Sequence, residues 1–339
     1  MSLQPPVAAV NILDRETLPC ALCGGERFVV VLSGARDWIG ARPGEFTLAR
    51  CEGCGLIATR PRPTRAALAL YYEGAYSGSG DAGLAEHELG VKGPGRLVNG
   101  YRLHVIDQLR KLGENDTLLD VGCSYGGLMW LARKRAGCAT VGVDLDEGAL
   151  NAAHKHPRAS YHHGVLTELG LEAGRFNLIT FMECLEHDLS PVETLREAKR
   201  LLAEGGVIAI EVPCWEGLWR PIFGRFWLPL LMPQHLHHFS PASLRACVEA
   251  AGLEVIDQRA MFFPAEATLS LGQALGAALG LPAPGAAQSA AQRVLGGVIG
   301  LVLALFWLFV ELPAQLLMWL LNRTGHMMLI ARAPQASPR

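Results

Sequence analysis

The stretch Leu118-Leu119-Asp120-Val121-Gly122-Cys123-Ser124-Tyr125-Gly126-Gly127, running on into Leu128 to Arg135, decides the fold. A short apolar run ends in an acid and a small-residue turn, and a helical segment follows directly. Such a turn lets backbone approach a ligand at the strand's carboxyl end, with the helix N-terminus facing it. Further along, Thr140 to Asp144, Phe176 to Phe181 and Gly206 to Val212 are short apolar runs separated by charged segments of helical pattern. This alternation predicts an α/β fold, a parallel sheet with helices on both faces. Two later strands are expected at Leu253 to Arg259 and His326 to Arg332, with a long apolar stretch between them.

The chain has 339 residues, enough for two domains or one large domain with an appendage. Lys plus Arg is 30 against 32 for Asp plus Glu, a formal charge of −2 with no block of like charge, so a nucleic-acid partner gets no electrostatic support. Half the residues are hydrophobic and 18% are charged, with a mean hydropathy of +0.23. That excludes disorder and is high for a cytosolic enzyme, so some of the excess needs a local explanation. The first residues show no basic stretch followed by an apolar run, which makes the cytoplasm the expected compartment.

Four of the nine cysteines form two close pairs, Cys20 with Cys23 and Cys51 with Cys54, each a Cys-x-x-Cys followed by Gly. Each frame resembles a zinc knuckle, and two knuckles complete a tetrahedral structural site; a redox dithiol or inert cysteines are the alternatives. Phe28 to Leu32 and Glu45 to Leu48 are expected to form the strands of the ribbon. The reading divides the chain into a zinc-ribbon-like module (1–60), a Pro-, Gly- and Tyr-rich connector or lid (61–95), a core (96–264), an apolar helical insert (265–323), and the last strand with its tail (324–339).

Asp144, at the end of the second strand, is placed to accept hydrogen bonds from two ribose hydroxyls. Alone, it leaves a dinucleotide and S-adenosylmethionine both open. Further motifs separate them, because the chain resembles the class I S-adenosylmethionine-dependent methyltransferases. The acid followed by Gly-x-Gly-x-Gly matches Asp120, Gly122, Ser124 and Gly126, with Ser in place of the middle Gly. The fourth-strand signature matches Phe176 to His187, with Asn177 where Asp is usual. Leu201 to Pro213 matches the next loop and strand, and His235 to Leu244 with Ala251-Gly252-Leu253 resembles the later helix and strand. The resemblance implies a Rossmann-like, seven-stranded methyltransferase sheet. It also implies a cofactor site at Asp120, Gly122, Ser124, Gly126, Asp144, Leu145, Gly164, Val165 and Glu183. The usual Asp for the adenine amino group is missing from Tyr161-His162-His163-Gly164-Val165, which leaves that contact to backbone groups.

A sulfonium methyl is already activated, so the protein must align the acceptor and remove or mask its proton. Glu183, Glu186 and His187 follow the fourth strand, where the methyl is expected. Two chemistries are open. His187 can act as general base with Glu186 orienting it. Alternatively, Glu183, Glu186, His187 and one of His235, His237 or His238 can bind a divalent cation that lowers the acceptor's pKa; a Glu-x-x-Glu-His with a later His resembles the site of metal-dependent RNA-end and quinone O-methyltransferases. A structural helix cap is the plain alternative. His154, His156, His162 and His163 read as solvent histidines.

Val294 to Val310 is apolar throughout, and Leu312 to Leu321 extends the run beyond Glu311, which approaches the length of a membrane span. A lone crossing would put His326 to Arg332 on the wrong side of the membrane for the sheet. The expected form is therefore an interfacial or re-entrant hairpin with its tip at Pro313. Gly272, Gly276 and Gly280 would permit close helix contact. Trp215, Trp219, Phe223, Phe226 and Trp227 would meet lipid headgroups or cover the acceptor pocket. Burial against each other, or in a homodimer, is the soluble alternative.

Zinc knuckles before such a domain also resemble bacterial methyltransferases of surface-polysaccharide and sugar biosynthesis. With the apolar insert, that resemblance implies a methyltransferase at the cytosolic membrane face, peripheral or monotopic, that O-methylates a saccharide or lipid-linked small-molecule acceptor. A quinone or other prenyl-lipid acceptor is the nearest alternative, and C- or N-methylation stays open. A non-catalytic zinc and membrane scaffold is the alternative from another class, opposed by the intact Asp120, Gly122, Gly126 and Asp144.

Overall fold

The computed structural model describes residues 10–38, 40–72, 92–153, 156–280 and 290–334. Most of the connector, His154 and part of the insert (281–289) lie outside the described residues. Five short strands precede the central domain: β1 (Arg15–Glu16), β2 (Phe28–Ala35), β3 (Phe46–Cys51), β4 (Ile57–Thr59) and β5 (Arg62–Pro63). After them come β6 (Thr117–Val121), β7 (Ala139–Asp144), β8 (Ala159–His163), β9 (Phe176–Met182), β10 (Leu202–Pro213), β11 (His237–His238), β12 (Glu254–Ala260) and β13 (His326–Arg332).

The central sheet has seven strands in the order β12-β13-β10-β9-β6-β7-β8. Strands β6 to β10 pair in parallel, while β13 runs antiparallel to both β10 and β12. This is the Rossmann-like methyltransferase sheet that the motifs imply. The continuous apolar runs reflect its two buried faces. Leu119, Ile179 and Ile208 enter one core with Leu195, and their neighbours Leu118, Leu178 and Val207 enter the other with Ile106 and Met129. Because the central strands are parallel, the loops after Val121, Asp144, Met182 and Pro213 all leave from one edge, where a ligand can touch several at once.

The ribbon carries β2 and β3, slightly longer than the expected pair, and its four-stranded sheet runs β11-β4-β3-β2. The fourth strand, His237–His238, comes from far along the chain: His237 pairs with Ala58, and His238 with Ile57. The ribbon is therefore built into the central domain by a shared sheet.

The insert departs from the expected hairpin. One helix, Glu266–Ala278, is followed by Ala290–Phe306, a π turn at Trp307–Glu311, and Leu312–Leu320. The run from Leu295 to Leu320 is a single apolar helix of 26 residues, long enough to cross a membrane and almost wholly unburied. Pro313 does not break it. A proline lacks the N–H and crowds the carbonyl one turn back, and the wider π turn just before it relieves that conflict. The same turn presents Glu311, fully buried, to the first helix: its carboxylate accepts the backbone N–H groups of Ala267 at 2.7 Å and Thr268 at 2.8 Å. A charged residue that looked costly in an apolar run is thus the cap of a neighbouring helix. Of the glycines expected to let helices approach, Gly272 does so, since a Cβ there would lie 3.3 Å from Leu303, while Gly276 and Gly280 have no such neighbour among the described residues.

Glu311→Ala leaves those two N–H groups unpaired beneath the long helix. We expect a loss of roughly 1 to 3 kcal/mol of stability, read as a lower thermal midpoint, with cofactor affinity unchanged. A midpoint equal to the parent's would show that the cap does not hold the two helices together.

Candidate active site

The turn after β6 is shaped by close approach. Gly122 has φ +74°, and a Cβ there would lie 2.7 Å from the Cys184 sulfur; Gly126 has φ +77°, and a Cβ would meet the Tyr161 hydroxyl at 2.6 Å. Ser124 also has positive φ, +47°, so the residue that replaces the family's middle Gly keeps the conformation Gly would supply. Its N–H donates to Asp144 Oδ2 at 2.7 Å, and Asp146 N–H donates to Oδ1 at 2.9 Å. Two backbone donors thus orient the Asp144 carboxylate and leave lone pairs for a ligand. Leu145 is exposed beside it, and the Gly164 N–H donates to the Asp144 carbonyl at 3.0 Å, which brings Gly164 and Val165 to the same edge. Asp120 plays a different part: it is buried and accepts the Thr180 hydroxyl at 2.6 Å, and burial pushes its pKa up to about 7. It braces β6 against β9 beneath the turn. Asn177 accepts the Thr117 N–H at 2.9 Å, at the far end of the same two strands, where an amide serves as well as the usual acid.

The loop after β9 gathers the acidic and imidazole groups. Glu186, His187 and His235 bring one ligand atom each within 4.8 Å of one another. Glu186 is 1% exposed, and neither of its carboxylate oxygens has a hydrogen-bond partner among the described residues. His235 Nε2 lies 3.7 Å from it. Both imidazoles are fixed through their other nitrogen, His187 Nδ1 to the Gln234 carbonyl at 3.0 Å and His235 Nδ1 to the Pro229 carbonyl at 2.8 Å. A carbonyl only accepts, so each Nδ1 carries the proton and each Nε2 keeps its lone pair. Burial holds both rings neutral, taking His187 down to about 4 and His235 well below its ordinary value, while burial and then Glu183 push Glu186 well up. The pairing in which Glu186 orients His187 is not formed, because His187 Nδ1 is taken by Gln234 and by the Tyr72 hydroxyl at 2.8 Å.

Glu183, at φ +56°, turns away from this cluster to His326, 3.7 Å distant, and His326 lies equally far from Glu266. Burial alone would depress the His326 pKa, but Glu183 and Glu266 outweigh it and hold His326 at about 9. Arg102 adds a paired salt bridge to Glu211, at 2.8 and 3.1 Å. The sequence reading missed His326, Glu266, Arg102 and Glu211. One signal was present: Glu211 is an acid inside an otherwise apolar strand, which needs a buried partner. His237 and His238 are buried in the shared sheet; His237 Nε2 contacts the Asp188 carbonyl at 3.0 Å. Of the histidines read as solvent residues, His156 and His163 are exposed and His162 is half-buried. The aromatic segment covers rather than projects: Trp219 and Trp227 are buried, and Trp215 stacks edge-on to Trp227 and His238.

In the ribbon, the four cysteine sulfurs lie within 4.8 Å of one another, with Cys20 to Cys54 at 3.5 Å and Cys23 to Cys51 at 3.6 Å. Those separations suit thiolates around one ion with metal–sulfur bonds of about 2.3 Å. The backbone N–H groups of Cys54 and Gly53 help bring Cys51 down to about 7 against the opposing effect of burial.

With this geometry in place, comparison with known proteins gives the class. A family model described as a methyltransferase domain matches residues 99–258. The chain is 29% identical over 188 residues to a protein named ubiquinone biosynthesis O-methyltransferase from Aromatoleum aromaticum, covering 52% of this chain and 80% of that one. It is 31% identical over 182 residues to the protein of the same name from Bordetella avium, covering 50% of this chain and 74% of that one. Among solved structures, a putative methyltransferase in complex with the Haloferax volcanii Trm112 activator is similar at TM-score 0.49 and 17% identity, over 77% of this chain and 97% of that one. The chain belongs to the class I S-adenosylmethionine-dependent methyltransferases.

Asp144→Ala removes the carboxylate that the sequence motif leads us to expect as the acceptor of two ribose hydroxyls. Calorimetric titration should show S-adenosylmethionine binding weakened by roughly 2 to 4 kcal/mol if both bonds are charge-assisted. Equal affinity would remove Asp144 from the site.

His326→Gln should leave Glu183 and Glu266 without their buried cation, costing roughly 3 to 5 kcal/mol. The folded His326 pKa is raised above the unfolded one, so its contribution is lost as pH rises through about 9. Burial raises Glu183 to about 7, so the pair also weakens as pH falls through that value, and the parent's advantage is widest between the two. Thermal melts of both proteins across that range check it, and a constant gap would contradict it.

Proposed function

We propose that this methyltransferase moves the methyl of S-adenosylmethionine to a hydroxyl of a lipid acceptor of the quinone class, at a membrane surface, with a divalent cation held by Glu186, His187 and His235. The observation that carries the reading is the donor set: a buried, unpartnered carboxylate facing two imidazole lone pairs, each ring tied through Nδ1 to a carbonyl as metal-binding histidines are. When bound, the cation would supply the Lewis acidity that lowers the acceptor hydroxyl's pKa. The carbon–sulfur bond breaks as the carbon–oxygen bond forms, and the hydroxyl proton leaves to solvent. Asp144 orients the cofactor, Gly122 admits it to the turn, and the Trp215 and Trp227 cover limits water at the acceptor side. Relatives named for ubiquinone biosynthesis support the quinone class over a saccharide. We assign zinc to Cys20, Cys23, Cys51 and Cys54.

The membrane part rests on the long helix. Leu301, Phe309, Leu317 and Leu320 are each more than half exposed on it, and Leu218 and Ile222 from the segment after β10 are exposed as well. An apolar patch of this kind marks an interaction surface. The insert leaves the sheet after β12 and re-enters it at β13, its neighbour, so both of its ends belong on one side of the membrane. Its polar residues Glu311 and Gln315 are turned inward, leaving the apolar face for lipid.

The test joins both parts. With a polyprenylated catechol in vesicles, Mn²⁺ or Mg²⁺ should restore methyl transfer to chelator-treated protein that keeps its zinc, and Glu186→Gln should lower the rate about 100-fold while S-adenosylmethionine still binds. The protein should float with the vesicles. Full activity in chelator would remove the cation, and a dimer that ignores vesicles would assign the helix to a second copy of the chain.

A further inference from the structure

Both imidazoles of the donor set are held from outside the central domain, by residues that follow the cysteine knuckles. Thr59, the last residue of β4, is 2% exposed. Its hydroxyl donates to the His235 carbonyl at 3.0 Å, and its N–H donates to the Leu236 carbonyl at 3.0 Å. The next two residues, His237 and His238, then pair with Ala58 and Ile57. The backbone from the His235 carbonyl to His238 is therefore fastened to the ribbon. The link continues to the cysteines, because the Cys51 N–H donates to the Leu56 carbonyl and Gly55 N–H to the Cys51 carbonyl, both at 2.9 Å, which sets the start of β4. On the other imidazole, Tyr72, at the end of the helix Arg65–Tyr72, places its hydroxyl 2.8 Å from His187 Nδ1. The two rings stand edge to face at 4.5 Å between centroids, so a shift of either moves its Nε2 relative to Glu186.

We infer that the N-terminal unit completes the acceptor-side donor set: Thr59 is the positioning residue for His235, and Tyr72 is the positioning residue for His187. This rests on the donor-set reading above. A ribbon that served only as a folded appendage would have no need to bond the main chain of a donor residue or to reach the ring of another. Partners that orient metal-binding histidines change metal affinity roughly 10- to 100-fold when removed. Thr59→Val keeps the shape and the N–H bond and removes only the hydroxyl. Tyr72→Phe removes only the oxygen at Nδ1.

The experiment is calorimetric titration of Mn²⁺ into the full-length, zinc-containing protein, for the parent, Thr59→Val, Thr59→Ser and Tyr72→Phe. We expect Mn²⁺ affinity to fall roughly 10- to 100-fold in Thr59→Val and in Tyr72→Phe and to return in Thr59→Ser, with zinc content and S-adenosylmethionine affinity equal to the parent's. Those two controls separate positioning from unfolding, and Thr59→Ser with Tyr72→Phe keep the test open if Thr59→Val folds poorly. Parent-like Mn²⁺ binding in both Thr59→Val and Tyr72→Phe overturns this inference while leaving the donor set intact. A parent that takes up no Mn²⁺ overturns the donor set and the inference with it.

Discussion

Two hydrogen bonds of one kind govern the histidine and glutamate cluster beyond β9: an imidazole N–H given to a backbone carbonyl, at His187 to Gln234 and at His235 to Pro229. Because a carbonyl cannot donate, each bond fixes the tautomer and leaves Nε2 its lone pair, and His235 Nε2 lies 3.7 Å from Glu186. The loop after β9 and the segment around His235 are joined by a further backbone bond, Leu236 N–H to the Glu186 carbonyl at 2.9 Å. Carboxylate and imidazoles are thus parts of one rigid construction. Around it the parallel strands deliver Asp144 and the glycine turn to the same edge of the sheet.

Much of this was legible in the sequence. Strands β6, β7, β9 and β10 are short, two-sided apolar runs, and their pattern is imposed by burial on both faces of a parallel sheet. The glycine turn and Asp144 follow because close approach and positive φ restrict the residue types there. What stayed hidden was set by tertiary pairing. Nothing near Thr59 or Tyr72 announces contact with a histidine more than a hundred positions away, and His326 looks like the opening residue of a strand until Glu183 and Glu266 close around it. The choice among His235, His237 and His238 was open for the same reason: three histidines within four positions differ only in which way the backbone aims them. The chain aims His235 at Glu186 and gives the other two to the sheet shared with the ribbon.

The insert shows how a global constraint can outrank local propensity. Pro313 in an apolar run reads as a break, yet the helix continues, because a π turn absorbs the proline and places Glu311 on the N-terminus of the neighbouring helix. The antiparallel placement of β13 between β10 and β12 dictates where the insert must leave the sheet and where the long helix must return the chain to it. Only its outward face is left free, and that face is apolar.

The account stands on the direction of two nitrogen lone pairs, and pulsed electron paramagnetic resonance of Mn²⁺ in the zinc-loaded protein reports on them directly. The account predicts modulation from two imidazole nitrogens, reduced to one in His235→Ala. A spectrum of aquated Mn²⁺ with no nitrogen coupling, or two couplings that persist in His235→Ala, would contradict it.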